Sequence, residues 1–165
     1  MSYGGTMLWD GEHGRTAART RASNEIEALL VGPAAMARFV APGALTDGQF
    51  GLFQWDMAPR AGGANPHFHR TFSESFFVLD GSVELYDGTV WQAATAGDFL
   101  YVAPGGIHGF RNGTDDPASM LILFVPGPPR ERYFEELAEV IRSGRKLTED
   151  EWLELWARHD QYPSR

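Results

Sequence analysis

The chain has 165 residues, 43% hydrophobic and 22% charged, with a formal net charge of -8; this is the profile of one domain able to bury a substantial core. The acidic balance argues against nucleic acid as the main partner, because binding it usually requires a basic surface. With no cysteine in the chain, disulfide staples and thiolate ligands are excluded, and any metal must be held by nitrogen and oxygen.

Residues 1–25 lack periodicity and read as an N-terminal arm, solvated or loosely tethered, that includes Arg15, Arg19 and Arg21. The first residues lack the apolar core of a signal peptide, and the longest apolar run, Met120–Val125, is too short to span a membrane. A soluble cytoplasmic protein without membrane partners is therefore expected. Residues 26–126 read as a β domain. Ile26–Val31 and Met36–Val40 are short strands separated by Gly32-Pro33, with a short helix over Asn24–Val31 as the alternative for the first. Gly48–Met57 alternates Phe50, Leu52 and Gln54 with Phe53, Trp55 and Met57, which suits a strand covered on both faces. After the glycine-rich loop Ala58–Asn65 come Ser75–Leu79, Val83–Tyr86, Val90–Trp91, Asp98–Val102, Ile107–Asn112 and Ala118–Val125. Asp80-Gly81 and Asp87-Gly88 are hairpin signals, since glycine accepts the positive φ of tight turns. Strands recurring this closely, with 19 glycines and 10 prolines to turn them, indicate an all-β antiparallel sandwich or barrel.

Residues 127–165 change character and read as a helical segment packing on the β domain. Arg130–Ser143 carries apolar residues at helical spacing between Pro129 and Gly144. A second helix begins at Thr148, where Thr148–Glu151 forms a capping box and Leu147 with Trp152 occupies the positions of a hydrophobic staple. Trp152, Leu155 and Trp156 form its apolar face.

The stretch Ala61–Gly81 holds the chemistry. His67, His69 and Glu74 lie within eight residues. A His-x-His pair on an extended strand turns both imidazoles to one face, and a strand returning antiparallel brings Glu74 beside them. His108, behind the turn Ala103–Gly106, supplies a fourth ligand. Three imidazoles and one carboxylate suit one divalent transition metal (Fe, Mn, Ni, Co, Cu or Zn), whereas Mg²⁺ and Ca²⁺ want more oxygen. Such a site leaves open positions for a small-molecule substrate or O₂. By period-two bookkeeping Glu74 shares a face with Phe76 and Val78, and His108 with Phe110 and Asn112. If the ligands face inward, Phe76, Val78 and Phe110 line the pocket with them. Gly81, Gly97 and Gly105 are turn glycines, Asp98 caps its turn, and Asn112 reads as a turn or supporting residue. His13 and His159 match no pattern and read as surface residues.

Two motifs carry a family resemblance. The first reads Ala61, five residues, His67-Phe68-His69, four residues, Glu74, six residues, Gly81; the second reads Gly97, five residues, Ala103-Pro104-Gly105, two residues, His108, three residues, Asn112. Together they resemble the cupin motifs G-x5-H-x-H-x3,4-E-x6-G and G-x5-P-x-G-x2-H-x3-N. The departures are Ala61 for the opening glycine and Ala103 for the first proline, and neither removes a ligand. The resemblance implies a jelly-roll β-barrel (double-stranded β-helix), here followed by two C-terminal α-helices, that binds its metal through His67, His69, Glu74 and His108. The run SESFFVLDGSVELYDG and the helix after the barrel resemble single-domain cupins similar to quercetin 2,3-dioxygenase. That likeness implies a dioxygenase acting on a small aromatic or enolic substrate, with Glu74 doubling as a base. Retaining the metal without O₂ gives an isomerase, cyclase or decarboxylase; a non-enzymatic metal- or ligand-binding module is the third reading. The resemblance and the two apolar faces of Gly48–Met57 together suggest a homodimer.

Overall fold

A computed structural model describes residues 9–164; residues 1–8 of the expected arm lie outside it. Among the described residues, the strands are β1 (Ala28–Leu30), β2 (Ala35–Ala41), β3 (Gly51–Met57), β4 (Ala64–Phe68), β5 (Ser73–Asp80), β6 (Ser82–Tyr86), β7 (Trp91–Thr95), β8 (Phe99–Val102), β9 (His108–Arg111), β10 (Ala118–Val125) and β11 (Tyr162–Pro163). Between β10 and β11 run the helices α1 (Arg130–Ser143) and α2 (Glu149–Arg158). The strands form two antiparallel sheets, one of six strands in the order β1-β2-β3-β10-β5-β8 and one of five in the order β11-β4-β9-β6-β7. The described ladders remain two separate sheets and do not join into the closed barrel that the resemblance implies.

Alternation builds the core. On the six-stranded sheet, Phe53, Trp55 and Met57 of β3 point inward with Met120, Ile122 and Phe124 of β10 and with Phe76 and Val78 of β5. Val83, Leu85 and Phe110 close the core from the five-stranded sheet. Burying side chains of this size contributes about 1.5–3 kcal/mol each. The other face of β3 differs from the apolar surface that the alternation predicts. Asp56 there accepts hydrogen bonds from Arg38 Nε (2.7 Å), Gln54 Nε2 (2.8 Å) and Ser119 Oγ (2.7 Å), and this half-buried polar cluster spans β2, β3 and β10.

The helices cover one side of the sheets. Phe134 of α1 packs against Phe39, Phe53 and Trp55, with ring centroids 5.3–6.4 Å apart. The capping box of α2 forms as its sequence predicts: Glu151 N–H donates to Thr148 Oγ1 (3.3 Å) and Thr148 N–H to Glu151 Oε2 (2.8 Å). Leu155 is buried, and Leu147, Trp152 and Trp156 pack partly buried against the core. No helix among the described residues is long and apolar enough to cross a membrane.

The strand reading of Ile26–Val31 holds against its helical alternative over Asn24–Val31: a single 3₁₀ turn at Ser23–Glu25 leads into β1. Within the exposed arm, Arg19 Nη1 donates to the Leu45 carbonyl (2.8 Å) and Arg21 donates to the carbonyls of Phe39, Val40 and Glu25, which tether the arm at these two residues. Asp87-Gly88 does turn the β6–β7 hairpin, pairing Tyr86 with Trp91, but Asp80-Gly81 turns no hairpin. It carries the chain from β5 in one sheet to β6 in the other. Gly81 sits at φ +70°, and a Cβ there would stand 2.4 Å from the Pro117 carbonyl oxygen. The crossing thus needs both the left-handed backbone and the missing side chain. Gly81→Ala is expected to destabilise the fold by about 2 kcal/mol or more, read as a lower denaturant midpoint; an unchanged midpoint would contradict this account of the turn.

Candidate metal centre

The ligands come from both sheets. His67 lies on β4, paired directly opposite His108 on β9, and His69 lies just past the end of β4. Glu74 does not arrive on a strand paired with β4, as simple return of the chain would have it. It stands on β5 in the facing sheet, between Phe124 of β10 and Val102 of β8. Side-chain alternation still turns it inward. All four residues are buried, and one ligand atom from each lies within 4.8 Å of the others.

Backbone carbonyls set the chemistry of the imidazoles. His67 Nδ1 donates to the Asn65 carbonyl (2.8 Å), His69 Nδ1 to the Asp160 carbonyl (2.5 Å) and His108 Nδ1 to the Gly106 carbonyl (3.0 Å). A carbonyl only accepts, so each Nδ1 carries a proton and each neutral ring presents a lone pair at Nε2. These lone pairs converge. His67 Nε2 and His69 Nε2 are 3.2 Å apart, and Glu74 Oε2 lies 2.9 Å from His69 Nε2 and 2.8 Å from His108 Nε2. Such a cluster of acceptors repels itself unless protons or a cation fill it. Adjacent ligands on an octahedral cation with bonds of about 2.1 Å stand about 3.0 Å apart, which matches these spacings. The donor set fits a divalent transition metal held by His67, His69, Glu74 and His108.

In the metal-free protein, burial pushes His67 down to about 3, with His108 adding to the shift. Burial works to raise Glu74, but His108 and His69 outweigh it and hold the carboxyl well below its ordinary range. Burial also opposes charge on His108, yet Glu74 beside it prevails and holds His108 above the ordinary histidine value. A proton on His108 thus relieves one contact of the cluster, and a cation relieves them all.

The ligands border a cavity of about 70 Å³, walled by Trp55, Phe110, Tyr133, Arg130 and Gln161 beside His67 and Glu74. His67, Tyr133 and Gln161 are shared with an outer chamber of about 160 Å³, whose wall includes Trp152 and Trp156; the two indoles stack with centroids 5.4 Å apart. Phe110 is on the inner wall, whereas Phe76 and Val78 are fully buried core residues outside it. Phe76 packs 5.8 Å from the rings of both His108 and Phe110. Gly81, Gly97 and Gly105 sit in turns at φ +70°, +96° and +84°, and Gly105 N–H donates to the His69 carbonyl (2.7 Å). Asp98 accepts from Thr95 N–H (2.7 Å). Asn112 donates to the carbonyls of Ala58 and Asp116 and accepts from Thr114 N–H. His13 is exposed. His159 is half-buried, not a free surface residue: its Nε2 meets Glu136 Oε2 at 2.7 Å.

The C-terminal tail supplies what motif reading misses. Asp160, at φ +53°, orients His69 through its carbonyl, while its carboxylate accepts from Thr71 N–H (2.8 Å), Thr71 Oγ1 (2.7 Å) and Arg70 N–H (3.1 Å). β11 then pairs with β4 beside His67. Arg130 is buried in the first turn of α1, where the helix dipole favours acids. That misfit is the one local signal by which the sequence marks it.

Two outcomes test the centre. Asp160→Ala keeps the carbonyl that accepts from His69 but removes the carboxylate that fixes it against Arg70 and Thr71, and is expected to weaken metal binding by about tenfold; unchanged affinity in a chelator competition would contradict a positioning role for that carboxylate. Acid should destabilise the metal-free protein. His67 takes up a proton near its ordinary 6.5 when unfolded but only at about 3 when folded, so stability falls as pH drops through that window. Glu74, lowered from 4.5, adds to the loss below that value. His108 has the opposite sign, its contribution being lost as pH rises through its raised folded value. A Tm that stays flat or rises on acidification from about 6.5 would contradict this.

Residues 53–124 match the cupin domain family. An uncharacterised protein of Aquifex aeolicus (strain VF5) is 33% identical over 61 residues, 37% of this chain and 50% of that protein; the chain thus matches about half the length of that relative. Among solved structures, KdgF from Halomonas sp. superimposes with a TM-score of 0.61 at 16% identity, covering 70% of this chain and 99% of that one. The polyketide cyclase RemF from Streptomyces resistomycificus superimposes with a TM-score of 0.55 at 21% identity, covering 66% and 80%. The match to the cupin domain family at residues 53–124 thus lies in a fold of two antiparallel sheets and two helices that is shared with cupin structures, with a buried His67/His69/Glu74/His108 cluster able to bind a metal.

Proposed function

We propose that the protein is a metal-dependent enzyme acting on a small aromatic or enolic substrate, with dioxygenation as its reaction class. The observation that supports this reading is the convergence of three imidazole lone pairs and one carboxylate beside a small cavity whose wall includes Trp55, Phe110, Phe124, Tyr133 and Phe134. When bound, the metal supplies Lewis-acid chemistry, drawing charge from a substrate oxygen and lowering its pKa. Trp55, Phe110 and Tyr133 exclude water and hold a flat substrate against the ligands. Glu74 directs Oε2 at the imidazoles, so Oε1 is the atom that takes a proton from a substrate hydroxyl. The stacked Trp152 and Trp156 guide the substrate through the outer chamber.

A second reading keeps the metal and omits O₂: an isomerase, cyclase or decarboxylase. Arg130 favours it, because a buried cation on the cavity wall stabilises negative charge developing on a substrate without any change of redox state. The fold is also shared with a polyketide cyclase. Oxygen dependence separates the two. Metal-loaded protein would be given a panel of flavonols, enediols and small hydroxy-aromatic compounds in air and under strict anaerobiosis. Dioxygenation predicts O₂ uptake matching substrate loss and no anaerobic turnover. Undiminished anaerobic turnover would contradict it and favour the second reading, and tight binding without chemical change would indicate a binding module.

A further inference from the structure

Two residues of the cavity wall each carry a buried hydrogen-bond donor without a partner among the described residues. Arg130 is 4% exposed. Its Nη1 donates to the His159 carbonyl (3.0 Å) and its Nη2 to Gln161 Oε1 (3.1 Å), both neutral acceptors. Its Nε is buried with no partner, and so is the Nε1 of Trp55. Arg130 and Trp55 both line the cavity against His67 and Glu74.

Charge sharpens the point. No carboxylate among the described residues pairs directly with Arg130; the rings of Phe72, Phe124, Tyr133 and Phe134 surround its guanidinium at 4.2–5.7 Å. Aromatic faces ease the burial of a cation but do not neutralise it. Glu74 is the carboxylate on the same wall, and a bound divalent metal would more than cancel it. Metal, Glu74 and Arg130 together would leave a small cavity with two net positive charges. An unpaired charge of that size is costly without an anion, and buried N–H groups without acceptors point the same way.

We infer that Arg130 and Trp55 form an anion subsite beside the metal centre, and that the substrate is a small organic acid whose carboxylate sits there. The inference rests on the metal-dependent reading of the site and adds the substrate's charge to it. The carboxylate accepts from the free N–H groups of Arg130 and Trp55, and the rest of the molecule extends toward the metal ligands. A purely structural Arg130, serving only to pin the tail at His159 and Gln161, would leave Trp55 Nε1 without a role.

The test compares glycolate with its neutral isostere glycolamide, by calorimetry and thermal shift, on the metal-loaded and metal-free protein, with metal content measured separately. Glycolate should bind and glycolamide should not. Trp55→Phe, which removes the N–H but keeps a ring, should weaken glycolate by about tenfold without changing metal content. Arg130→Gln should weaken it by about 100-fold. If Arg130→Gln fails to fold, Trp55→Phe decides alone. Equal binding of the acid and the amide, or glycolate binding that Trp55→Phe leaves unchanged, overturns the subsite. If the wild-type protein takes up no metal, the metal reading fails; binding of glycolate to that protein, weakened by Trp55→Phe, would still support the subsite, and its absence would overturn both.

Discussion

Three hydrogen bonds from imidazole Nδ1 to backbone carbonyl determine what the centre of this protein can be. Each removes one nitrogen from play and leaves the other as a lone pair, and the three carbonyls come from distant parts of the chain: Asn65 on β4, Gly106 in the turn before β9 and Asp160 in the tail. In their neutral forms the rings therefore cannot swivel to donate to one another or to Glu74. A self-repelling set of acceptors is held together by the rest of the fold, and a cation resolves it.

Both sheets and the tail are needed for that arrangement. The five-stranded sheet carries His67 and His108 opposite each other, while the six-stranded sheet carries Glu74. The core between them, from Phe53 to Ile122, fixes their separation. The tail then returns across the centre: Asp160 binds the backbone after His69, and Ser164 N–H donates to the Pro66 carbonyl (3.0 Å). Arg70 stacks over Tyr162 at 4.1 Å. α1 and this tail add Arg130, Tyr133, Phe134, Leu137 and Gln161 to the cavity wall from outside the cupin match at 53–124.

The sequence made the ligands legible and hid their setting. Close spacing brings out His67, His69 and Glu74, the resemblance to the second motif adds His108, and period two turns the side chains inward. Period two gives a face but not a sheet, which is why Glu74 can be placed inward and yet on the wrong neighbour. The same limit applies to Asp80-Gly81, since a glycine turn looks alike whether it closes a hairpin or crosses between sheets. Asp160, Gln161 and β11 carry no periodic signal. Their partners lie about ninety residues away for Asp160 and thirty for Gln161, and only the closed fold brings them together. Trp152 and Trp156 read correctly as a packing face, but their second role, lining the outer chamber, depends on the empty space beside them.

The central claim is that one divalent metal sits among four particular atoms of this chain. Anomalous X-ray diffraction at the absorption edge of the metal identified in the purified protein tests it most directly. The account predicts a single fully occupied ion bound by Nε2 of His67, His69 and His108 and by the Glu74 carboxylate. An anomalous map with no ion at that position, or an ion held through Nδ1 or by other residues, would contradict it.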